Sequence, residues 1–153
     1  MGKPTRKSFP ESSRRAFIRH ASDVLIEVSE APGAPHVRRK GHDVSYGGLS
    51  FVSDVPIETG SAVKIRIPEI QPVFEAEVRV VWCQHTADQY IIGVQFVEEE
   101  DAFRIRMVEQ VCSIESYRKE VRERDGRVLT AGEAAQEWIA RYAASFPDPR
   151  KEE

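Results

Sequence analysis

In the stretch "VFEAEVRVVW", residues 73–82, apolar and charged side chains alternate with a period of two. Phe74, Ala76, Val78, Val80 and Trp82 fall on one face of an extended chain, and Glu75, Glu77 and Arg79 on the other. Successive side chains of a strand point to opposite faces, so this is a strand with one face in a core and the other in water. Trp82 and the other strand aromatics are expected in that core.

The same period recurs on both sides. Toward the N-terminus, "AVKIRI" (62–67) sets Val63, Ile65 and Ile67 inward and Lys64 and Arg66 outward. "GLSFV" (48–52) puts Leu49 and Phe51 on one face, and "DVLIEV" (23–28) does so for Val24, Ile26 and Val28. "APGAP" (31–35) is a turn or loop by its Pro and Gly content. Toward the C-terminus, "YIIGVQF" (90–96) aligns Tyr90, Ile92, Val94 and Phe96. Short alternating strands with turn signals between them predict an antiparallel sheet closed into a small barrel or sandwich.

From Asp101 the period becomes helical: Phe103, Met107, Val111, Ile114 and Val121 repeat along one stripe, with Tyr117 beside it. Asp125–Gly126 supplies a C-terminal stop, because Gly accepts a left-handed backbone. Thr130 stands three residues before Glu133, a capping box that opens a second helix. Ala134, Trp138, Tyr142 and Phe146 share its apolar face, and Pro147 closes it. The first helix approximates a heptad seam with Gln110 at one site. Packing on the barrel and the last helix is the main expectation for it; a dimer contact or a partner groove is the alternative. The chain thus reads as a β-barrel with two appended helices.

At 153 residues the chain suits one domain. Its net charge of -3 argues against a general polyanion binder. The charge is unevenly spread: residues 1–42 hold nine Lys/Arg against four acids, and the remainder is strongly acidic. A basic front end on an acidic body points to a local anion site. Cys83 and Cys112 stand in no metal or redox spacing, and no apolar leader or run of about 20 apolar residues occurs. A cytoplasmic protein without a membrane segment is expected. His20, His36, His42 and His85 lack metal-ligand spacing, so no metal is expected. No catalytic constellation is visible, so neither an enzyme nor a resident cofactor is expected.

Two short motifs carry the chemistry. In "RRAFIRH" (14–20), Arg15 and Arg19 are four apart and Arg14 precedes them. A guanidinium is planar, permanently charged and rich in donors, so it can pair with phosphate, bond the O6/N7 edge of guanine or stack on a base. In "HDVSYGGLSF" (42–51), Asp43 and Ser45 are two apart on an extended segment, and Gly47 and Gly48 follow. Asp accepts N–H donors such as those of guanine, and Gly48 would let the backbone approach a ligand or take a positive φ. Either stretch alone reads better as a solvated basic linker or a plain turn than as a site. Arg38, Arg39 and Lys40, just before Asp43, are either a solvated strand end or an added positive field.

Together, Arg-x-x-x-Arg and Asp-x-Ser-x-x-Gly at the front of a strand-rich chain resemble a PilZ domain, the bacterial receptor module for cyclic di-GMP. The resemblance covers roughly residues 13–120. It implies a six-stranded antiparallel barrel with a long helix after the last strand. With the polar start and the second helix read from the residues themselves, the chain divides into a flexible basic tail (1–12), a PilZ-like domain (13–124) and a C-terminal helical extension (125–153). The resemblance implies that Arg14, Arg15 and Arg19 hold the ligand from an N-terminal switch segment. Asp43 and Ser45 would bond a guanine, and Gly48 would hold the turn. His42, Gly47 and Arg38 would lie at the rim. Arg14 favours a stacked, intercalated pair of ligands over a single one. The implied function is a receptor or adaptor, monomeric or homodimeric, whose arginine segment orders on binding and signals to a downstream protein partner. A ligand-independent interaction module is the alternative. A barrel binding single-stranded nucleic acid is the third reading, opposed by the acidic body.

Overall fold

The computed structural model describes residues 18–31, 33–97 and 101–142. Arg14, Arg15, the tail 1–12, Phe146 and Pro147 lie outside the described residues. The elements run β1 (His20–Ala21), β2 (Leu25–Ser29), β3 (Val37–Val44), β4 (Gly48–Ser53), β5 (Ala62–Ile67), β6 (Phe74–Thr86), β7 (Gln89–Phe96), α1 (Asp101–Asp125) and α2 (Ala131–Tyr142).

The strands pair in the order β1-β3-β2-β5-β6-β7-β4, and β3 also pairs with β4. That last pairing closes six strands, β2 to β7, into an antiparallel barrel and leaves β1 as an outer strand on β3. Closure removes the two free edges that an open sheet would expose. The alternating residues fill the interior: Val24, Ile26, Val28, Phe51, Val63, Ile65, Ile67, Val78 and Ile92 are all buried. The basic stretch before Asp43 is strand after all. Arg38, Arg39 and Lys40 pair with Glu27, Ile26 and Leu25 of β2.

The barrel departs from strict alternation at two points: in β3 between Gly41, opposite Phe51, and Asp43, opposite Ser50, and in β6 between Val80 and Trp82. In β6, Val80 pairs with Val94, but Trp82 pairs with Gly93, so one extra residue is inserted between them. Such a bulge shifts every later side chain to the other face. Val94 points into the core. Gly93 and Trp82 therefore lie on the outside, and Trp82 is only partly buried. This corrects the expectation that Trp82 is a core residue.

Both helices add to the same core. Met107, Val111, Ile114, Tyr117 and Val121 of α1 are buried, together with Ala134, Ala135 and Trp138 of α2. Gly126 ends α1 with φ +71°, its amide donating to the Arg122 carbonyl at 3.0 Å, a left-handed cap. The capping box of α2 is reciprocal: Glu133 N–H donates to Thr130 Oγ1 at 3.0 Å, and Thr130 N–H to Glu133 Oε1 at 2.9 Å. Fully buried Gln110 bonds the backbone of the loop before β6, accepting the Gln71 amide at 3.0 Å and donating to the Gln71 carbonyl. Cys83 and Cys112 are free thiols. No helix of the described residues is long and apolar enough to cross a membrane.

Candidate functional site

The registers of five strands line up one row on the outside of the barrel. Ala21 of β1 pairs with Asp43 of β3, Asp43 with Ser50 of β4, Ser50 with Gly93 of β7, and Gly93 with Trp82 of β6. Directly paired residues project from the same face of a sheet. The row therefore places a carboxylate, a hydroxyl, a gap and an indole side by side. The gap is what seats the indole: a Cβ at Gly93 would come within 2.1 Å of the Trp82 ring.

Arg19, one residue before β1, closes over this row. Its Nε donates to Asp43 Oδ2 at 3.1 Å and its Nη2 to Asp43 Oδ1 at 3.3 Å, a planar two-bond pair. Its Cζ also lies 5.7 Å from the centroid of the Trp82 ring, within cation–π range. Beneath them, Ser50 donates its hydroxyl to Asp43 Oδ1 at 2.7 Å. Asp43 is thus held from below by Ser50 and met from outside by a guanidinium.

Ser45 sits elsewhere. It is buried at the end of β3, and its hydroxyl donates to the Gly48 carbonyl at 3.1 Å while accepting the Gly47 and Gly48 amides at 3.2 Å. With the Ser45 N–H to Gly48 carbonyl bond of 2.8 Å, this builds the tight turn from β3 to β4. The turn is docked twice more. The Gly47 carbonyl accepts the Phe96 amide at 3.0 Å, and the Tyr46 carbonyl accepts Arg104 Nη1 of α1 at 3.3 Å. Gly48 has no positive φ. The close approach it permits is to β7, where a Cβ would lie 2.0 Å from the Val94 carbonyl oxygen. Its backbone thus packs on protein, because the turn leads straight into the β4–β7 ladder.

Of the rim residues, His42 is exposed beside Asp43, with its carbonyl accepting the Ser22 amide at 3.2 Å. Gly47 belongs to the turn. Arg38 does not join the row: its Nε lies 3.9 Å from Glu27, and it lines a separate cleft with Glu69 and the start of α2. The structure brings Arg19 and Asp43 together as the motifs suggest, and adds Trp82, Gly93 and Ser50. Trp82 escaped sequence reasoning because of the bulge. Ser50 escaped it because a serine between Leu49 and Phe51 looks like the wet face of a strand.

The segment bearing Arg19 is also tied to α1. Ser22 donates to Glu115 Oε2 at 2.8 Å, and Arg118 Nη1 donates to Asp23 Oδ1 at 2.7 Å. The Arg118 bond holds the Asp23 carboxyl below its ordinary pKa, against the opposing effect of partial burial. Arg118 Nε reaches on to the Leu129 carbonyl at 2.8 Å, just before α2. Chemically, the row offers two carboxylate acceptors, an aromatic face and a guanidinium within one small area. That set suits a flat ring carrying adjacent N–H donors and an anionic group.

The fold has known counterparts. The Bacillus subtilis inhibitor of motility MotI/DgrA matches with a TM-score of 0.56 at 14% identity, over 67% of this chain and 51% of that one. The PilZ domain of Escherichia coli YcgR, solved with c-di-GMP, matches with a TM-score of 0.56 at 16% identity, over 75% of this chain and 99% of that one. The K. pneumonia MrkH–c-di-GMP complex matches with a TM-score of 0.53 at 17% identity, over 69% and 55%. The chain thus spans about half the length of the MotI and MrkH chains. At these identities the likeness is one of fold. No curated protein matches the sequence. The family model of the PilZ domain matches residues 13–112, which include both motifs and every strand, and the chain belongs to the PilZ domain family.

Proposed function

We propose that this protein is a cyclic di-GMP receptor that works as an adaptor and catalyses no reaction. The observation that carries this is the planar pair from Arg19 to Asp43 over the Trp82 face. A guanine offers Asp43 the same kind of adjacent N–H donors and offers Trp82 a π-face. Arg19, exchanged off Asp43, is then free to take a phosphate or the guanine O6/N7 edge. Arg14 and Arg15 add charge from the same segment, and three guanidiniums suit an intercalated pair of dianions. Family membership and two similarly folded structures that contain c-di-GMP support the reading.

The output is a change of shape. Binding orders the arginine segment over the barrel. Ser22 and Asp23, three and four residues beyond Arg19, pass the movement to Glu115 and Arg118 of α1. A downstream protein in the cytoplasm reads the new surface. Hydrogen bonds to charged groups net roughly 1.5–3 kcal/mol each, so four or five such contacts, less the ordering cost, reach micromolar affinity. Isothermal titration with cyclic di-GMP tests this. Micromolar binding is expected, with two ligands per protomer and at least a roughly tenfold loss in Arg19→Ala and in Asp43→Ala. No heat of binding by the intact protein at tens of micromolar would sink the proposal.

A further inference from the structure

We infer that Ser50, two residues beyond the Asp-x-Ser-x-x-Gly pattern, sets the guanine selectivity of the site by holding the Asp43 carboxylate as a fixed two-acceptor edge. The inference rests on the receptor reading above and names a positioning residue for it.

Ser50 is fully buried, and its backbone is fixed on both sides by pairing with Asp43 of β3 and Gly93 of β7. A hydroxyl has one proton to donate, and Ser50 gives it to Asp43 Oδ1 at 2.7 Å. The terminal torsion of an Asp side chain is otherwise broad, so an unanchored carboxylate samples many planes. Anchored at Oδ1, it keeps one plane and presents its open side to the Arg19 guanidinium. The pair from Arg19 Nε and Nη2 reports what that open side accepts: two parallel N–H groups in one plane. The ring N1–H and 2-amino group of guanine form the same guanidine fragment. A base without the 2-amino group leaves one acceptor unmet, and a site built to accept a hydrogen bond rejects an analogue lacking it. That rejection depends on the carboxylate being unable to turn away, which is what Ser50 prevents.

Selectivity is the readout that a merely structural role for Ser50 would not move. Cyclic di-GMP and cyclic di-IMP, the same ring lacking both 2-amino groups, are titrated against wild type, Ser50→Ala, Ser50→Cys and Ser50→Thr. Each variant is first checked by thermal melting, and either Ala or Cys serves as the loss variant. Wild type should prefer cyclic di-GMP. The loss variant should reduce that preference about tenfold, whereas Ser50→Thr, which keeps the hydroxyl, should retain it within about threefold. If the loss variant weakens both ligands equally, or if wild type binds both alike, the inference is overturned while the receptor reading stands. If wild type binds neither ligand, the receptor reading falls and takes this inference with it.

Discussion

At the scale of single residues, the outward face of Trp82 follows from one register shift between β6 and β7. The neighbours Val80 and Val81 are as apolar as Trp82, so nothing local marks the point where the period of two breaks. Only the register against β7, with Trp82 opposite Gly93 and Val80 opposite Val94, turns the indole outward. Arg19 and Asp43 were legible because they sit in motifs. Ser50 was not, because its meaning lies in a partner on another strand. The space at Gly93 gives a direct test. In Gly93→Ala, a methyl would stand 2.1 Å from the ring, so the indole must swing off the row. Base–aromatic stacking contributes roughly 1–3 kcal/mol, so cyclic di-GMP affinity should fall about tenfold with an altered tryptophan emission. Unchanged affinity and emission would show that the indole does not contribute from this position.

At the scale of elements, α1 shows how far a helical pattern reaches. The stripe from Met107 to Val121 announces a buried face, and that face is buried. The pattern does not say what covers it, and a heptad-like seam suits a second chain as well as a barrel. The cover is intramolecular: these residues share one core with the strands and α2. Gln110 then makes sense. A polar residue in such a seam needs partners, and it finds the amide and carbonyl of Gln71. Gln110→Leu would leave both backbone groups unmet. Each such loss costs about 1–3 kcal/mol, so the variant should be destabilised by about 2–6 kcal/mol in urea denaturation. A loss below about 0.5 kcal/mol would mean that water replaces the amide without penalty.

At the scale of the whole molecule, the Asp23–Arg118 pair joins the entry of the barrel to α1, and it carries a pH signature. The arginine holds the Asp23 pKa below its unfolded value. A depressed carboxylate contributes stability that is present above its unfolded pKa of about 3.9 and lost as pH falls through the folded pKa. Asp23→Asn should therefore melt below wild type at neutral pH, with the gap closing below about pH 4. An equal gap at both ends would assign the effect to packing. Strands β2, β4, β5, β6 and β7, the helices and the caps are determined by the sequence itself, because each depends on neighbours a few residues apart: alternation in "AVKIRI", Thr130 with Glu133, Gly126 after Asp125. The pairing of β3 with β4, the outward face of Trp82, the anchoring of Asp43 by Ser50 and the cover over α1 were decided only by the tertiary structure. They depend on which strands meet and in what register, and a single inserted residue such as Val81 reverses a face without leaving a mark in the local pattern.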